Sequence, residues 1–152
     1  MKILFLLTQD LESPTGIGRY FPLAKYLARL GHQVTIAALH ANYAGLHEKS
    51  FMVDQVQVHY VAQMHVLKQN NQKIYFSNTQ LVTLAIQATF QLTRAALSIP
   101  ADIIHIGKPH PMNSIAGMLA RLLKNRILFL DYDDYEAASN HFGSAWQKKI
   151  VQ

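Results

Sequence analysis

The order of apolar segments along the 152-residue chain constrains its fold most, because short strand-like runs alternate with longer helix-like ones. Buried strands are predicted near 2–8, 33–39 and 103–106, a half-exposed strand near 56–61, and a fifth strand near 127–130. Helices are predicted near 19–30, 77–97 and 112–123, with 64–73 as a polar surface loop. Strands that alternate with helices are typical of a parallel, doubly wound sheet. We therefore predict an α/β, Rossmann-like fold with a mostly parallel sheet and helices on both faces.

The predicted helices carry their apolar residues at helical spacing. In the first helix these residues are Tyr20, Leu23, Ala24, Leu27 and Leu30. In the long helix, Ser77 or Asn78 is the expected cap, since side chains of this kind accept hydrogen bonds from free N–H groups. Its predicted inner stripe consists of Leu81, Leu84, Ala85, Ala88, Leu92 and Ala96.

Composition limits the classes of function. Half of the residues are hydrophobic and 15% are charged, which suits one well-packed domain. The absence of cysteine excludes disulfides and thiolate chemistry. The net charge of +5 comes from scattered cations without interleaved aromatic residues, so no nucleic-acid partner is expected. The run 3–7 is too short for a signal-peptide core, and we predict a cytoplasmic protein.

Two glycines, Gly16 and Gly18, lie between the first strand and the first helix. Glycines let a backbone turn tightly and approach a ligand, and a helix N-terminus favours anions such as phosphate. A glycine-rich turn with no ligand role is the alternative. Three features disfavour a dinucleotide-binding fingerprint. Phe21 occupies the position at which the fingerprint has its third small residue, and residues 8–15 lie between the strand and the first glycine, which should be adjacent. The second strand also lacks the carboxylate at its end that would hold the ribose.

Two further segments follow predicted strands, where ligands bind in sheets of this kind. Lys108 and His110 lie in a proline-rich turn, and either side chain could contact a ligand or simply be exposed. The acidic run 131–136 could bind a divalent metal, hold hydroxyl groups or act as a general base, or form a solvated loop. The other histidines lack metal-ligand spacing.

The motifs resemble, in order, the N-terminal part of family 4 retaining glycosyltransferases. The strand 1–5 and the glycine turn precede a helix with a "GH-x-V" stop at 31–34. The segment 102–109 is similar to the family's "D-hydrophobic-hydrophobic-H" strand and its following loop, and 130–136 resembles the acidic loop of one bacterial branch. The loop departs from the many members that place a histidine near Asp133.

The resemblance implies the N-terminal half of a GT-B enzyme, in which two Rossmann-like domains face each other across a cleft. Residues 1–142 would form the acceptor-side domain, and 143–152 would begin a helix leading to a C-terminal domain in cis. The residues of the acceptor-side domain that the resemblance implies as contacts of the donor diphosphate are Gly16, Ile17, Gly18 and Arg19. Transfer in the family needs no metal, so no metal and no cofactor are expected besides the nucleotide-sugar co-substrate.

The implied acceptor-binding residues are Lys108, His110, Asp133, Asp134 and Glu136. The catalytic residue is not identified, and Asp133 and Asp134 are the candidates. The acceptor would be a glycan, a lipid-linked molecule or a small molecule.

We therefore predict a domain of a bacterial glycosyltransferase of glycan biosynthesis, inactive on its own. The alternative is a non-catalytic α/β domain that binds a phosphorylated small molecule. Peripheral contact with the inner face of the membrane stays open, although no basic amphipathic helix requires it.

Overall fold

The computed structural model describes residues 1–69 and 72–132. The predicted domain boundary at 142 and the predicted helix start at 143–152 therefore lie outside the described residues. Within them the strands are β1 (Lys2–Leu7), β2 (Gln33–His40), β3 (Ser50–Val53), β4 (Val56–Gln63), β5 (Val66–Gln69), β6 (Gln72–Tyr75), β7 (Ile103–Gly107) and β8 (Ile127–Asp131). The helical segments are a π-helical turn (Gly16–Tyr20), α1 (Phe21–Arg29), a 3-10 turn (Tyr43–Gly45), α2 (Asn78–Ser98) and α3 (Pro111–Lys124).

The main sheet has the strand order β3-β4-β2-β1-β7-β8, and only β3 at its edge runs antiparallel to its neighbour. The chain builds outward from β1 in one direction through β2 and β4, and in the other through β7 and β8. Strand order therefore reverses between β1 and β7, which makes their carboxyl ends the topological switch point. The predicted α/β, Rossmann-like fold with a mostly parallel sheet is confirmed.

The central strand β1 buries both of its faces because successive side chains point in opposite directions. Phe5 and Leu7 belong to the core that includes Tyr20, next to α1. Leu4 and Leu6 belong to the second core, which α2 and α3 cover from the other side of the sheet. A continuous apolar run with both faces covered is typical of a strand in a parallel sheet.

The predicted surface loop at 64–73 is wrong, because β5 and β6 form an antiparallel hairpin there. Its strands are polar and short, so their sequence lacks the apolar alternation by which strands are recognised. The Asn42 side chain extends the pairing, since its amide donates to the Lys68 carbonyl (2.8 Å) and accepts from the Lys68 N–H (3.1 Å). The four-residue strand β3 was also not predicted.

The long helix agrees with its predicted cap and inner face. Ser77 is the N-cap of α2 and forms a capping box with Gln80. Ala88, Leu92 and Ala96 of the predicted stripe are buried. In α1, by contrast, the predicted inner residues Leu23 and Leu30 are exposed, because the helix contacts the sheet through smaller residues such as Ala24 and Ala28. No helix within the described ranges has both the length and the apolarity needed to cross a membrane.

Candidate functional site

The carboxyl ends of β1, β7 and β8 bring three separate stretches of the sequence to one edge of the sheet. The strand register pairs Leu7 with Gly107 and Gly107 with Asp131. Because the strands are parallel, the residues that follow these positions leave the sheet side by side. The glycine-containing segment, the Lys108 turn and the start of the acidic run therefore meet at the switch point.

The loop after β1 is held by its own hydrogen bonds. The Ser13 hydroxyl donates to the Asp10 carbonyl (2.7 Å) and accepts from the Gly16 N–H (3.1 Å), as a helix cap does. A Cβ on Gly16 would lie 2.1 Å from the Asp10 carbonyl oxygen, which is a severe overlap. Gly16 is therefore required by the packing of this loop, and its N–H is already bonded within the protein.

The glycines lie within the first turns of the helix, although the sequence predicted that they precede it. Positions 14–15 are already helical, and Gly16–Tyr20 form a π-helical turn in which the Phe21 N–H donates to the Gly16 carbonyl. Single π-helical turns are rare and recur at functional sites. A Cβ on Gly18 would meet no atom within 4 Å, and the Ile17 side chain is 61% exposed. A ligand can therefore approach this surface at Gly18.

Arg19 and Asp131 form an ion pair across the switch point. The Arg19 Nε donates to Asp131 Oδ2 at 3.2 Å, and Arg19 Nη2 donates to Asp131 Oδ1. His105 Nε2 lies 3.9 Å from Asp131 Oδ2. Burial lowers the pKa of His105, while the Asp131 charge opposes this shift. The predicted diphosphate cation thus has a carboxylate partner from the acidic run.

Gly107 allows the helix to approach the sheet closely at the site. A Cβ at this position would lie 2.5 Å from Leu7 and 2.7 Å from the Tyr20 ring. Any larger residue would push away the turn that carries Arg19. Because Lys108 directly follows Gly107, the Arg19 and Lys108 backbones are held near each other.

The turn after β7 is ordered by Asn113 in the first turn of α3. Its buried amide donates to the carbonyl oxygens of Leu6 and Gly107 (both 3.1 Å), and its Oδ1 accepts from the His110 N–H (2.8 Å). Lys108 has a φ of 47°, a left-handed conformation that is uncommon for lysine. Such conformations persist where the surroundings enforce them, and they cluster at ligand-binding sites.

The hydrogen bonds of His110 determine which ring nitrogen faces a ligand. Its Nδ1 lies 2.8 Å from the Lys108 carbonyl oxygen and 3.4 Å from the Thr8 hydroxyl. A hydrogen bond to this carbonyl oxygen, which only accepts, requires the tautomer with its hydrogen on Nδ1. In the neutral ring Nε2 is then an acceptor. A neutral His110 can accept a hydrogen bond from a hydroxyl group of a substrate.

The hairpin β5–β6 is attached beside this edge through a buried carboxylate. Asp10 is fully buried and bonds Lys68 Nζ through both oxygens, at 3.1 and 3.2 Å. The pKa of His65, just before the hairpin, is lowered by partial burial and then by the charges of His110 and Lys73. His65 and Met112 line one small pocket, so the start of the hairpin lies beside the first turn of α3.

Tyr60, near the carboxyl end of β4, supports the loop after β1. Its hydroxyl accepts a hydrogen bond from the Leu11 N–H (3.4 Å). Burial raises the pKa of Tyr60 to about 12, so the phenol remains protonated. The loop is thus held at two adjacent residues, at Asp10 by Lys68 and at Leu11 by Tyr60.

The predicted site residues are only partly covered by the described ranges. Asp133, Asp134 and Glu136 lie outside them, whereas Arg19 and the Lys108 turn meet at the switch point. Sequence reasoning missed Asp10, Asn113 and Lys68, and it did not single out Asp131 from the acidic run. Gln9 was also missed: its Nε2 is buried at the site and has no hydrogen-bond partner within the described residues. A buried donor of this kind is normally satisfied, so a ligand oxygen would suit it.

The described residues include no group of three or more His, Asp or Glu side chains that could hold a metal ion. His105 and Asp131 approach each other, but they are two potential ligands, and Arg19 shares the carboxylate.

A family model described as the glycosyl transferase 4-like domain matches residues 15–151. The chain belongs to this family. The match includes the π-helical turn, the Lys108 turn and the acidic run. No curated protein matches the sequence.

Solved structures with the same fold include members of different functional classes. The chain covers 39% of sucrose-phosphate synthase from Thermosynechococcus elongatus, with 99% of its own length aligned, 10% identity and a TM-score of 0.57. It covers 90% of the C-terminal domain of a hydrogenase from Pyrococcus furiosus, with 86% of its own length aligned, 16% identity and a TM-score of 0.57. Identities this low show the fold alone, and the match to the synthase agrees with a Rossmann-like domain of the GT-B type.

Proposed function

We propose that this glycosyltransferase-family domain binds the acceptor in a metal-independent, retaining enzyme that moves a sugar from a nucleotide sugar to an acceptor hydroxyl. The observation that carries the proposal is the family match together with the meeting of Arg19 and the Lys108 turn at the switch point. A C-terminal domain in cis would bind the nucleotide. The 152-residue chain alone is then expected to be inactive.

The proposed donor contacts are Gly16, Ile17, Gly18 and Arg19. Loss of the nucleoside diphosphate places negative charge on its phosphates, and without a metal this charge must be stabilised by cations and N–H groups. Gly18 leaves space for a phosphate to approach, and Arg19 supplies a positive charge next to it. Because Asp131 holds Arg19, a phosphate at Gly18 would share the guanidinium with this carboxylate or displace it.

The proposed acceptor contacts are Lys108 and His110, with Asp133, Asp134 and Glu136 as further candidates. His110 Nε2 would accept a hydrogen bond from an acceptor hydroxyl and so orient its oxygen toward the donor. Asp133 and Asp134 remain the candidates for a catalytic carboxylate. Retention requires the new bond to form on the face from which the diphosphate leaves.

The central test is glycosyl transfer by the protein in its full-length form with a panel of nucleotide sugars. We expect Arg19→Gln and Gly18→Val to reduce kcat/KM by roughly tenfold or more, since each removes a contact with the developing charge or the space for it. Arg29→Gln, which removes an exposed cation from the last turn of α1, is the matched control. Unchanged transfer in both variants would overturn the assignment of the diphosphate site.

Two further measurements test whether transfer is metal-independent and whether it retains the anomeric configuration. Transfer is expected to survive excess chelator, and the NMR coupling constant of the product's anomeric proton should show the configuration of the donor. Inhibition by chelator that added Mg²⁺ reverses would contradict metal independence. Binding of phosphorylated ligands without transfer by any full-length form would favour the alternative binding domain.

A further inference from the structure

A groove lined by both polar and apolar residues lies between α2 and the β3–β4 edge of the sheet. It encloses about 370 Å³ and is lined in part by Lys49, Ser50, His59 and Arg94. Ligand pockets commonly range from about 300 to 1,000 Å³, so the groove can hold a small molecule. None of the proposed donor or acceptor contacts lines it, although Tyr60, which supports the loop after β1, does.

A short chain of hydrogen bonds beside the groove orients the ring of His59, which lines it. Gln57 Nε2 donates to the Ser50 hydroxyl (3.2 Å) and to the Phe51 carbonyl (3.0 Å). The Ser50 hydroxyl lies 2.9 Å from His59 Nδ1 and can donate to it, which leaves the hydrogen of the neutral imidazole on Nε2. Burial lowers the pKa of His59, which favours this neutral form.

The charges that line the groove are all positive. Lys49 Nζ lies 4.3 Å from the centre of the Tyr43 ring. Arg94 is exposed and makes no hydrogen bond or ion pair with another residue of the described ranges. None of the described lining residues is a carboxylate. A guanidinium, an ammonium and neutral donors without a nearby acid suit an anion with several acceptor oxygens.

We propose that this groove binds the phosphoryl group of a small phosphate monoester, separately from the transfer site. Arg94 and Lys49 would pair with the phosphoryl oxygens, and His59 would donate through Nε2. The organic part of the ligand would pack on Val61 and Ile99, which also line the groove. The site would therefore favour an organic phosphate over both inorganic phosphate and a neutral analogue.

The test is an NMR titration of the 15N-labelled 152-residue chain with phenyl phosphate, with phenol and inorganic phosphate as comparisons. We expect phenyl phosphate to shift the amide signals of 49–51, 59–61 and 94–99, and phenol to leave them unchanged. Arg94→Gln should weaken this binding roughly fivefold to tenfold, whereas Arg29→Gln should not change it.

The location of the shifts distinguishes this proposal from the switch-point site. Shifts confined to Gly18 and the Lys108 turn would overturn it, and so would equal affinities of Arg94→Gln and Arg29→Gln. If Arg94→Gln alters the amide spectrum before ligand is added, Lys49→Gln replaces it with the same expected loss. The titration measures binding and not glycosyl transfer, so a failure of the proposed transfer function would not change its outcome.

Discussion

The two glycines of the π-helical segment should respond in opposite ways to a single methyl group. At Gly16 a Cβ would lie 2.1 Å from the Asp10 carbonyl oxygen and 2.9 Å from both Leu11 Cα and Ser13 Oγ. Real Cβ atoms essentially never approach within 3.0 Å, so the loop would have to shift by about 0.9 Å. Two of the three neighbours are backbone atoms, which cannot move by a change of rotamer.

The cost of Gly16→Ala follows from what that shift disturbs. The Asp10 carbonyl accepts the Ser13 hydroxyl, and the Asp10 carboxylate is buried against Lys68. Overpacking typically costs about 1–3 kcal/mol, and loss of the Ser13 cap adds about 1 kcal/mol. We therefore expect Gly16→Ala to lower the free energy of unfolding by about 2–4 kcal/mol.

Gly18→Ala meets no neighbour within 4 Å and lies inside a helical segment. Alanine is more favourable than glycine in a helix interior by about 0.8–1.0 kcal/mol, so this variant should be slightly more stable than the wild type. Urea denaturation followed by circular dichroism measures both variants under the same conditions. Equal stabilities, or a destabilised Gly18→Ala with an unaffected Gly16→Ala, would refute the reasoning from steric space.

Other contacts of the site give three further predictions. Lys68→Met should destabilise the protein by about 2–4 kcal/mol in urea denaturation, because it leaves the Asp10 carboxylate buried without its cation. The double variant Asp10→Asn with Lys68→Met should recover part of this loss, and no recovery would contradict the pairing. Asn113→Ala should cost about 2–3 kcal/mol in the same assay, since two carbonyl oxygens and the His110 N–H lose their buried partner. The pKa of His105 is lowered in the folded state, so as the pH falls the unfolded chain takes up a proton at His105 before the folded protein does. The free energy of unfolding should therefore fall as the pH drops below 6.5, the ordinary pKa of histidine. His105→Phe should flatten this slope, and an unchanged slope would assign it to another group.

The sequence predicted the main sheet well because its central strands, β1 and β2, consist almost entirely of buried residues. β1 has a continuous apolar run after Lys2, and the long helix α2 has a clear apolar stripe with a recognisable cap at Ser77. The β5–β6 hairpin was not predicted because its short, polar strands lack such an apolar run. It is held by backbone pairing, by Asn42 and by the buried contact of Lys68 with Asp10, and none of these leaves a periodic apolar signal.

The meeting of the three segments was predictable, but the contacts within them were not. The rule that ligands bind at the carboxyl ends of strands singled out these segments, and the strand register brings them together at the switch point. The sequence could not distinguish Gly16 from Gly18, since that difference depends on how the loop folds back onto Asp10. Asn113 had one local signal, a polar side chain in the first turn of a helix after Pro111, but its bonds to Leu6 join residues far apart in the chain.

The pairing of Arg19 with Asp131 changes how both residues should be interpreted. Considered separately, Arg19 is the proposed cation for the donor diphosphate and Asp131 is one member of an acidic run. Once paired, the carboxylate fixes the orientation of the guanidinium and offsets its charge when no phosphate is bound. Preorganised charges contribute most to catalysis because they need not reorient as the leaving group develops charge. Asp131→Asn would weaken one of the contacts that orient the Arg19 guanidinium, and under the proposed function we expect it to lower the kcat of glycosyl transfer more than it weakens ground-state binding.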